Sequence, residues 1–202
     1  MYDELIRAVL AAPPMASAVG KPKLRGNRME FMDIIHARRS TRAYTDEQIS
    51  NDELAAIVEA GRTAPIAGAD FSMSHMTVVQ DPSLITEIRE ACQLTRKDGT
   101  KADPTYGAPT LIFMSATGPS DDMIEYSNVA CAIENMALAA TSLGLGSVYL
   151  WGFLRKLRAR PDVVAKLGLP EGYTILSAFA VGHATEPVEP HEPKGRIAVD
   201  YL

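Results

Sequence analysis

The sequence predicts a layered domain of the α+β or α/β type, and three observations carry that prediction. Segments of strand character alternate with segments of helical periodicity from about residue 30 to residue 182. One helical segment, 121–143, is apolar or small around most of its circumference, which suits an element held from several sides. The length of 202 residues, with 47% hydrophobic and 22% charged side chains, suits one domain, or one compact domain with an appendage.

The chain opens MYDELIRAVLAA. Asp3 and Glu4 stand where a secretory signal carries positive charge, and Arg7 interrupts the apolar stretch, so no such signal is expected. Leu5, Ile6, Val9 and Leu10 fit one helical face, and the Pro-, Gly-, Lys- and Arg-rich stretch 12–28 reads as a linker. Residues 1–28 are therefore expected to be an N-terminal extension or arm, either flexible or packed on a partner subunit, beside a main domain over 29–202.

Within that domain, residues 30–38 fit a short amphipathic helix. Ser50 and Glu53 form an S-x-x-E capping box, and Leu54, Ile57 and Val58 share a face of the helix that follows, with Gly61 near its end. Residues 75–80 read as a strand, and Pro82 opens a helix whose apolar stripe is Leu84, Ile85, Ile88 and Cys92. A second strand is expected at 109–115, the long helix at 121–143, a strand at 147–151, a short helix at 161–167 and a buried strand at 174–182.

Charge and composition remove several functions. With 20 Lys and Arg against 25 Asp and Glu the net charge is −5, which disfavours a strongly basic nucleic-acid binder and leaves only a local basic patch open. Apolar runs break well before the roughly 18 residues of a membrane span. Cys92 and Cys131 are too few for a disulfide framework and read as reduced thiols of a cytoplasmic protein, Cys131 as a core thiol of the long helix. Gly144-Leu145-Gly146 follows a helix and has no third glycine at the dinucleotide-binding offset, so it reads as a tight helix-to-strand turn. No Walker A segment, G-x-S-x-G elbow or H-E-x-x-H pair occurs, and His36, His75, His183 and His191 lack metal-ligand spacing, which leaves them structural or surface roles.

The most informative segment is Arg38-Arg39-Ser40-Thr41-Arg42-Ala43-Tyr44. Three guanidiniums and two hydroxyls within five residues suit a bound phosphate dianion, each charge-assisted hydrogen bond contributing roughly 1.5–3 kcal/mol. The same residues also suit a solvated basic loop. A second basic pair, Lys194 and Arg196, lies near the C-terminus, and convergence of the two clusters on one anion would make a site.

Five segments, in order, resemble the FMN-dependent nitroreductase family: ARRSTRAYTDEQIS at 37–50, EAGRTAP at 59–65, YGAPTLIF at 106–113, AIENMALAATSLGLGSVYLWGF at 132–153, and LPEGYTILSAFAVGHA at 169–184 followed by Lys194-Gly195-Arg196. The resemblance covers most of residues 31–202. It implies an α+β three-layer α-β-α sandwich with a mostly antiparallel central sheet around a buried long helix. It also implies a homodimer with FMN at the subunit interface. By position, Arg38, Arg39 and Ser40 would hold the FMN phosphate and ribityl chain, and Lys194 and Arg196 would complete the phosphate site. Arg42 would approach the pyrimidine side of the isoalloxazine ring. Pro65, Ile66 and Ala67 would contact the flavin from the partner subunit. Leu150, Trp151 and Gly152 would pass the flavin edge with a backbone N–H near N5.

Those roles are chemically coherent. A fixed guanidinium beside N1–C2=O stabilises the reduced flavin, and glycine at 152 permits close backbone approach. The flavin carries the electron chemistry, so no catalytic acid–base dyad or nucleophile is required of the protein. The implied activity is transfer of hydride from NAD(P)H through flavin N5 to an electron-poor small molecule such as a nitroaromatic, a quinone or a free flavin. Two alternatives stand beside it: an FMN-dependent reductive dehalogenase or flavin-fragmenting enzyme, and a non-catalytic protein that binds flavin or another phosphorylated ligand.

One loop departs from the family pattern Ala-Pro-Ser-x-x-Asn-x-Gln-Pro-Trp. Here Ala64-Pro65-Ile66-Ala67-Gly68-Ala69-Asp70-Phe71-Ser72-Met73-Ser74-His75 puts Ala69 at the Asn position, lacks Gln-Pro-Trp and runs about two residues longer. Asp70, Phe71 or Met73 would then shape a different pocket, or Phe71 and Met73 would simply pack. Arg96, Lys97 and Lys101 form either a solvated loop or a contact for the flavin or nicotinamide. Trp151, the single tryptophan, either brings its backbone to the flavin or fills core volume.

Overall fold

The structure, a computed structural model, describes residues 24–25, 28–118, 120–192 and 195–201. Most of the expected 1–28 arm, and Lys194, lie outside the described residues. Leu24–Arg25 (β1) and Arg28–Met29 (β2) pair antiparallel just before the domain.

The domain elements follow in chain order: Phe31–Ala37 (α1), Asn51–Arg62 (α2), Ser74–Val79 (β3), Pro82–Cys92 (α3), Leu94–Thr95 (β4), Lys101–Ala102 (β5), Thr110–Thr117 (β6), Ile124–Ser142 (α4), Gly146–Leu150 (β7), Leu154–Arg158 (α5), Pro161–Ala165 (α6) and Tyr173–Gly182 (β8). Local chemistry starts the helices where expected. At α2 the Ser50 hydroxyl accepts from Glu53 N at 3.3 Å, while the Glu53 carboxylate accepts from Ser50 N at 2.8 Å. At α3, Asp81 accepts from Ser83 N at 2.8 Å ahead of Pro82 in the first turn.

The central sheet runs in the order β3-β6-β8-β7, and every pairing is antiparallel. β6 and β8 lie inside it and are buried on both faces, which is why their sequences read as continuous apolar runs. Alternate residues feed two cores. Leu111, Phe113, Ala178 and Ala180 face α3, α5 and α6, whereas Ile112, Met114, Leu176 and Val181 face α2 and α4. Helices on both faces of one antiparallel sheet make the three-layer α+β sandwich.

Two findings refine the sequence reading. Within this chain α4 is buried along one side through Val129, Ala132, Ile133, Met136 and Ala140. Cys131, expected in the core, lies on the exposed side of α4 instead. Gly144, at φ 76°, makes the tight turn into β7, and Gly146 is where β7 meets the chain of residues 40–41.

Candidate functional site

The basic segment is built into the domain. Arg38 ends α1, its N–H donating to Ile34 O at 2.9 Å. Ser40 then forms a parallel bridge with Ser147 of β7, and Thr41 N donates to Ser147 O at 2.9 Å. Tyr44 makes an antiparallel bridge with Ala184, and Thr45 N donates to His183 O at 2.9 Å. The segment thus runs beside the outer edge of β7, and the register leaves the buried Thr41 against Gly146. A Cβ at 146 would stand 2.7 Å from Thr41 Cγ2 and 2.8 Å from Ala184 Cβ, so only glycine lets the two chains come this close. Burial raises the Tyr44 hydroxyl above the ordinary tyrosine range, partly offset by the Arg42 guanidinium.

This placement opens a cleft of about 760 Å³ lined by Ile35, His36, Arg38, Arg39, Ser40, Arg42, His191, Gly195 and Arg196. Residues from positions 35–42 and 191–196 therefore share one cavity, held together where His191 N donates to His36 O at 3.2 Å. Three of its four arginines have carboxylates beside them: Arg38 with Glu134 at 3.4 Å, Arg39 with Glu186 at 3.5 Å and Arg196 with Glu192 at 3.8 Å. Arg39 also donates to Pro187 O at 2.7 Å. All three carboxylates are more than half exposed, so these pairings are weak and a stronger anion can replace them.

Pro65, Ile66 and Ala67 do not line this cleft. They begin the connection from α2 to β3, with Pro65 and Ala67 exposed. Ala67 N donates to Oδ1 of the buried Asn128 on α4 at 3.1 Å, and the turn continues through Gly68 and Ala69, both at positive φ. Asp70 lines neither this cleft nor the cavity beside it: its carboxylate accepts from Ser72 N at 3.1 Å. Phe71 lines that second cavity, of about 470 Å³ between this connection and α2, together with Ile66, Ser74 and Met76. Met73 is half-buried and does not line it.

Leu150, Trp151 and Gly152 also stand outside the basic cleft. Leu150 is buried at the end of β7, which leaves only its backbone for contact. Trp151 does not fill core volume: it is 52% exposed, and its ring packs on Tyr126 at 5.4 Å. A Cβ at Gly152 would meet nothing within 4 Å, so the space beside it is open in this chain. Arg96 and Lys97 are exposed in the β4–β5 hairpin, and Lys101 donates to Thr95 Oγ1 at 3.1 Å.

Sequence reasoning assigned His36 and His191 structural or surface roles, yet both line the cleft. His191 Nδ1 is buried and has no hydrogen-bond partner among the described residues. His36 lies two positions before Arg38, a proximity that could have singled it out; His191 had no signal of its own.

Comparison with known proteins bears on this geometry. The model of the nitroreductase family matches residues 35–183. A protein of Archaeoglobus fulgidus, provisionally named NADH dehydrogenase/NAD(P)H nitroreductase, is 30% identical over 175 residues, which is 86% of this chain and 96% of that protein. The NADPH-flavin oxidoreductase of Vibrio harveyi is 29% identical over 171 residues, 78% of this chain and 67% of the relative. The crystal structure of a nitroreductase with bound FMN from Bacteroides fragilis superposes with a TM-score of 0.73 at 32% identity, covering 86% of this chain and 98% of that one. The sandwich, the order of its elements and the family match over 35–183 agree: this chain belongs to the nitroreductase family.

Proposed function

We propose that the protein is an FMN-dependent oxidoreductase that passes hydride from NAD(P)H to an electron-poor small molecule and works as a homodimer. The observation that carries this is the cleft in which Arg38, Arg39, Ser40 and Arg42 meet Arg196 from the opposite end of the sequence. Its volume of about 760 Å³ lies within the range of cofactor sites, and its donors suit a phosphate and a polar chain. The residues present therefore fit FMN. The FMN-bound relative from Bacteroides fragilis and the NADPH-flavin oxidoreductase of Vibrio harveyi support the same cofactors here.

When bound, FMN supplies the hydride-accepting and hydride-donating atom, N5. The protein's part is placement and charge. Arg38, Arg39, Ser40 and Arg196, together with Lys194, hold the phosphate and ribityl end. Arg42 supplies fixed positive charge on the pyrimidine side. The open space at Gly152 admits a planar ring against the backbone of 150–152, with the exposed Trp151 beside it. The exposed Pro65 and Ala67, with Ile66, reach the flavin of a second copy.

Exposed apolar side chains support the dimer. Phe31 and Met32 on α1 are 63% and 56% exposed, and Ile197, Val199 and Tyr201 near the C-terminus are 93%, 64% and 72% exposed. Such apolar surface on α1 and over 197–201 suits burial against a second copy. The free thiols Cys92 and Cys131 suit a cytoplasmic location, and no described helix is long and apolar enough to cross a membrane. The net charge of −5 favours small molecules over nucleic acid as partners.

The test is the visible absorption spectrum of the purified, FMN-reconstituted protein, followed by identification of the released chromophore. A flavin spectrum, FMN on release, and NAD(P)H oxidation sustained by a nitroaromatic or quinone are expected. Protein that retains no flavin would overturn the reading.

A further inference from the structure

Tyr106 has a backbone conformation that its side chain disfavours, φ 58°, and nevertheless presents a partly exposed ring. A non-glycine residue persists there only where its surroundings over-determine it. Here they do. The Asp103 carboxylate accepts from Thr105 N at 2.7 Å, Thr105 Oγ1 at 2.8 Å and Gly107 N at 2.8 Å. Arg89 on α3 pairs with Asp103 at 3.3 Å, donates from Nε to Thr105 Oγ1 at 2.8 Å, and donates from Nη2 to Ala108 O at 2.8 Å. Thr105 and Ala108, on either side of the turn, are fully buried. The turn is thus clamped to α3 just ahead of β6, and the clamp sets where the ring projects from.

The ring goes to Arg42. Its centroid lies 5.8 Å from the Arg42 guanidinium carbon, within cation–π range. Arg42 needs such a support. Arg38, Arg39 and Arg196 each have a carboxylate beside them, whereas among the described residues no carboxylate pairs with Arg42. Among the described residues its guanidinium makes one hydrogen bond, from Nη1 to the carbonyl of Ser40, two residues back, at 3.3 Å.

We propose that Tyr106 is a positioning residue that holds the Arg42 guanidinium in place beside the flavin, through its ring rather than its hydroxyl. The proposal rests on the flavin reading of the cleft. An aromatic face orients a cation without neutralising it, as a carboxylate would. Arg42 therefore keeps its full charge for the negative charge that gathers on the pyrimidine side on reduction. Tyr106 then sets the balance between oxidised and reduced flavin without touching the flavin itself.

The test compares the parent holoprotein with Tyr106→Phe, Tyr106→Asn and Arg42→Gln, reading the two-electron potential of bound FMN by dye equilibration and FMN affinity by fluorescence titration. Asn removes the ring and tolerates the positive φ, so the fold is kept, and thermal unfolding checks this. Tyr106→Asn is expected to weaken the preference for reduced flavin about tenfold, a potential about 30 mV more negative for a two-electron couple. Arg42→Gln should shift it at least as far, and Tyr106→Phe should match the parent. If Arg42→Gln shifts the potential and Tyr106→Asn does not, the positioning role is overturned while the flavin reading stands. Equal shifts in Phe and Asn variants would assign the effect to the hydroxyl and also overturn it. If Arg42→Gln changes neither potential nor affinity, the placement of Arg42 at the flavin fails, and the role of Tyr106 with it.

Discussion

Arg38 and Arg196 reach one cleft from positions far apart in sequence, and each has a carboxylate neighbour that is largely exposed. In the proposed site, removing either guanidinium would delete a charge-assisted contact to the phosphate, worth roughly 1.5–3 kcal/mol. Arg38→Ala and Arg196→Ala are each expected to weaken FMN binding at least about tenfold in a fluorescence titration, with the fold intact. The arginines of 38–42 were legible as a candidate because three guanidiniums and two hydroxyls crowd into five residues, and the family resemblance favoured them over a solvated loop. Their meeting with Arg196 followed only from the resemblance, because it depends on His36 and His191, distant in sequence, coming together. Cys92 gives a second expectation at this scale. Burial pushes its thiol up to about 11, so it stays protonated and shielded at neutral pH. A thiol reagent should leave Cys92 unmodified in the folded protein and reach it on unfolding, as peptide mapping would show.

Among the elements, α2 owes its start to the Ser50–Glu53 box. Ser50→Ala should cost about 1 kcal/mol, roughly 2–4 °C in Tm for a chain of this size. The hydrogen bonds from the Ser50 side chain and backbone hold the Glu53 carboxyl below its ordinary value. A group depressed on folding stabilises above its unfolded pKa, and that contribution is lost as pH falls through its folded pKa. The difference in Tm between parent and Ser50→Ala should accordingly be full at neutral pH and shrink in acid below about pH 4. Gly146→Ala belongs here too, because its Cβ would press Thr41 and Ala184 apart. It should cost about 1–3 kcal/mol and weaken FMN binding, since Thr41 adjoins the cleft-lining Ser40 and Arg42. Elements with caps or sustained periodicity, α2, α3 and α4, were legible from sequence. The two-residue strands β4 and β5 and the five-residue α5 were not, because so few residues establish no period. Nor was the path of 66–73, where positive φ at Gly68 and Ala69 and the Asn128 anchor set the course.

At the scale of the whole molecule, one chain gathers the residues proposed to hold the phosphate but leaves Pro65–Ala67 outside the cleft and apolar side chains exposed on α1 and over 197–201. The proposed second copy would account for both features. Sedimentation should show an FMN-loaded dimer, and a stable FMN-loaded monomer would contradict that assembly. The central claim, that guanidiniums from both ends of the chain grip a flavin phosphate, has its most direct test in paired titrations with FMN and riboflavin, which differ only in that phosphate. The parent should bind FMN far more tightly than riboflavin, and Arg38→Ala and Arg196→Ala should each narrow the gap by lowering FMN affinity alone. Equal affinity for the two flavins in the parent, or a gap that neither substitution changes, would contradict the account.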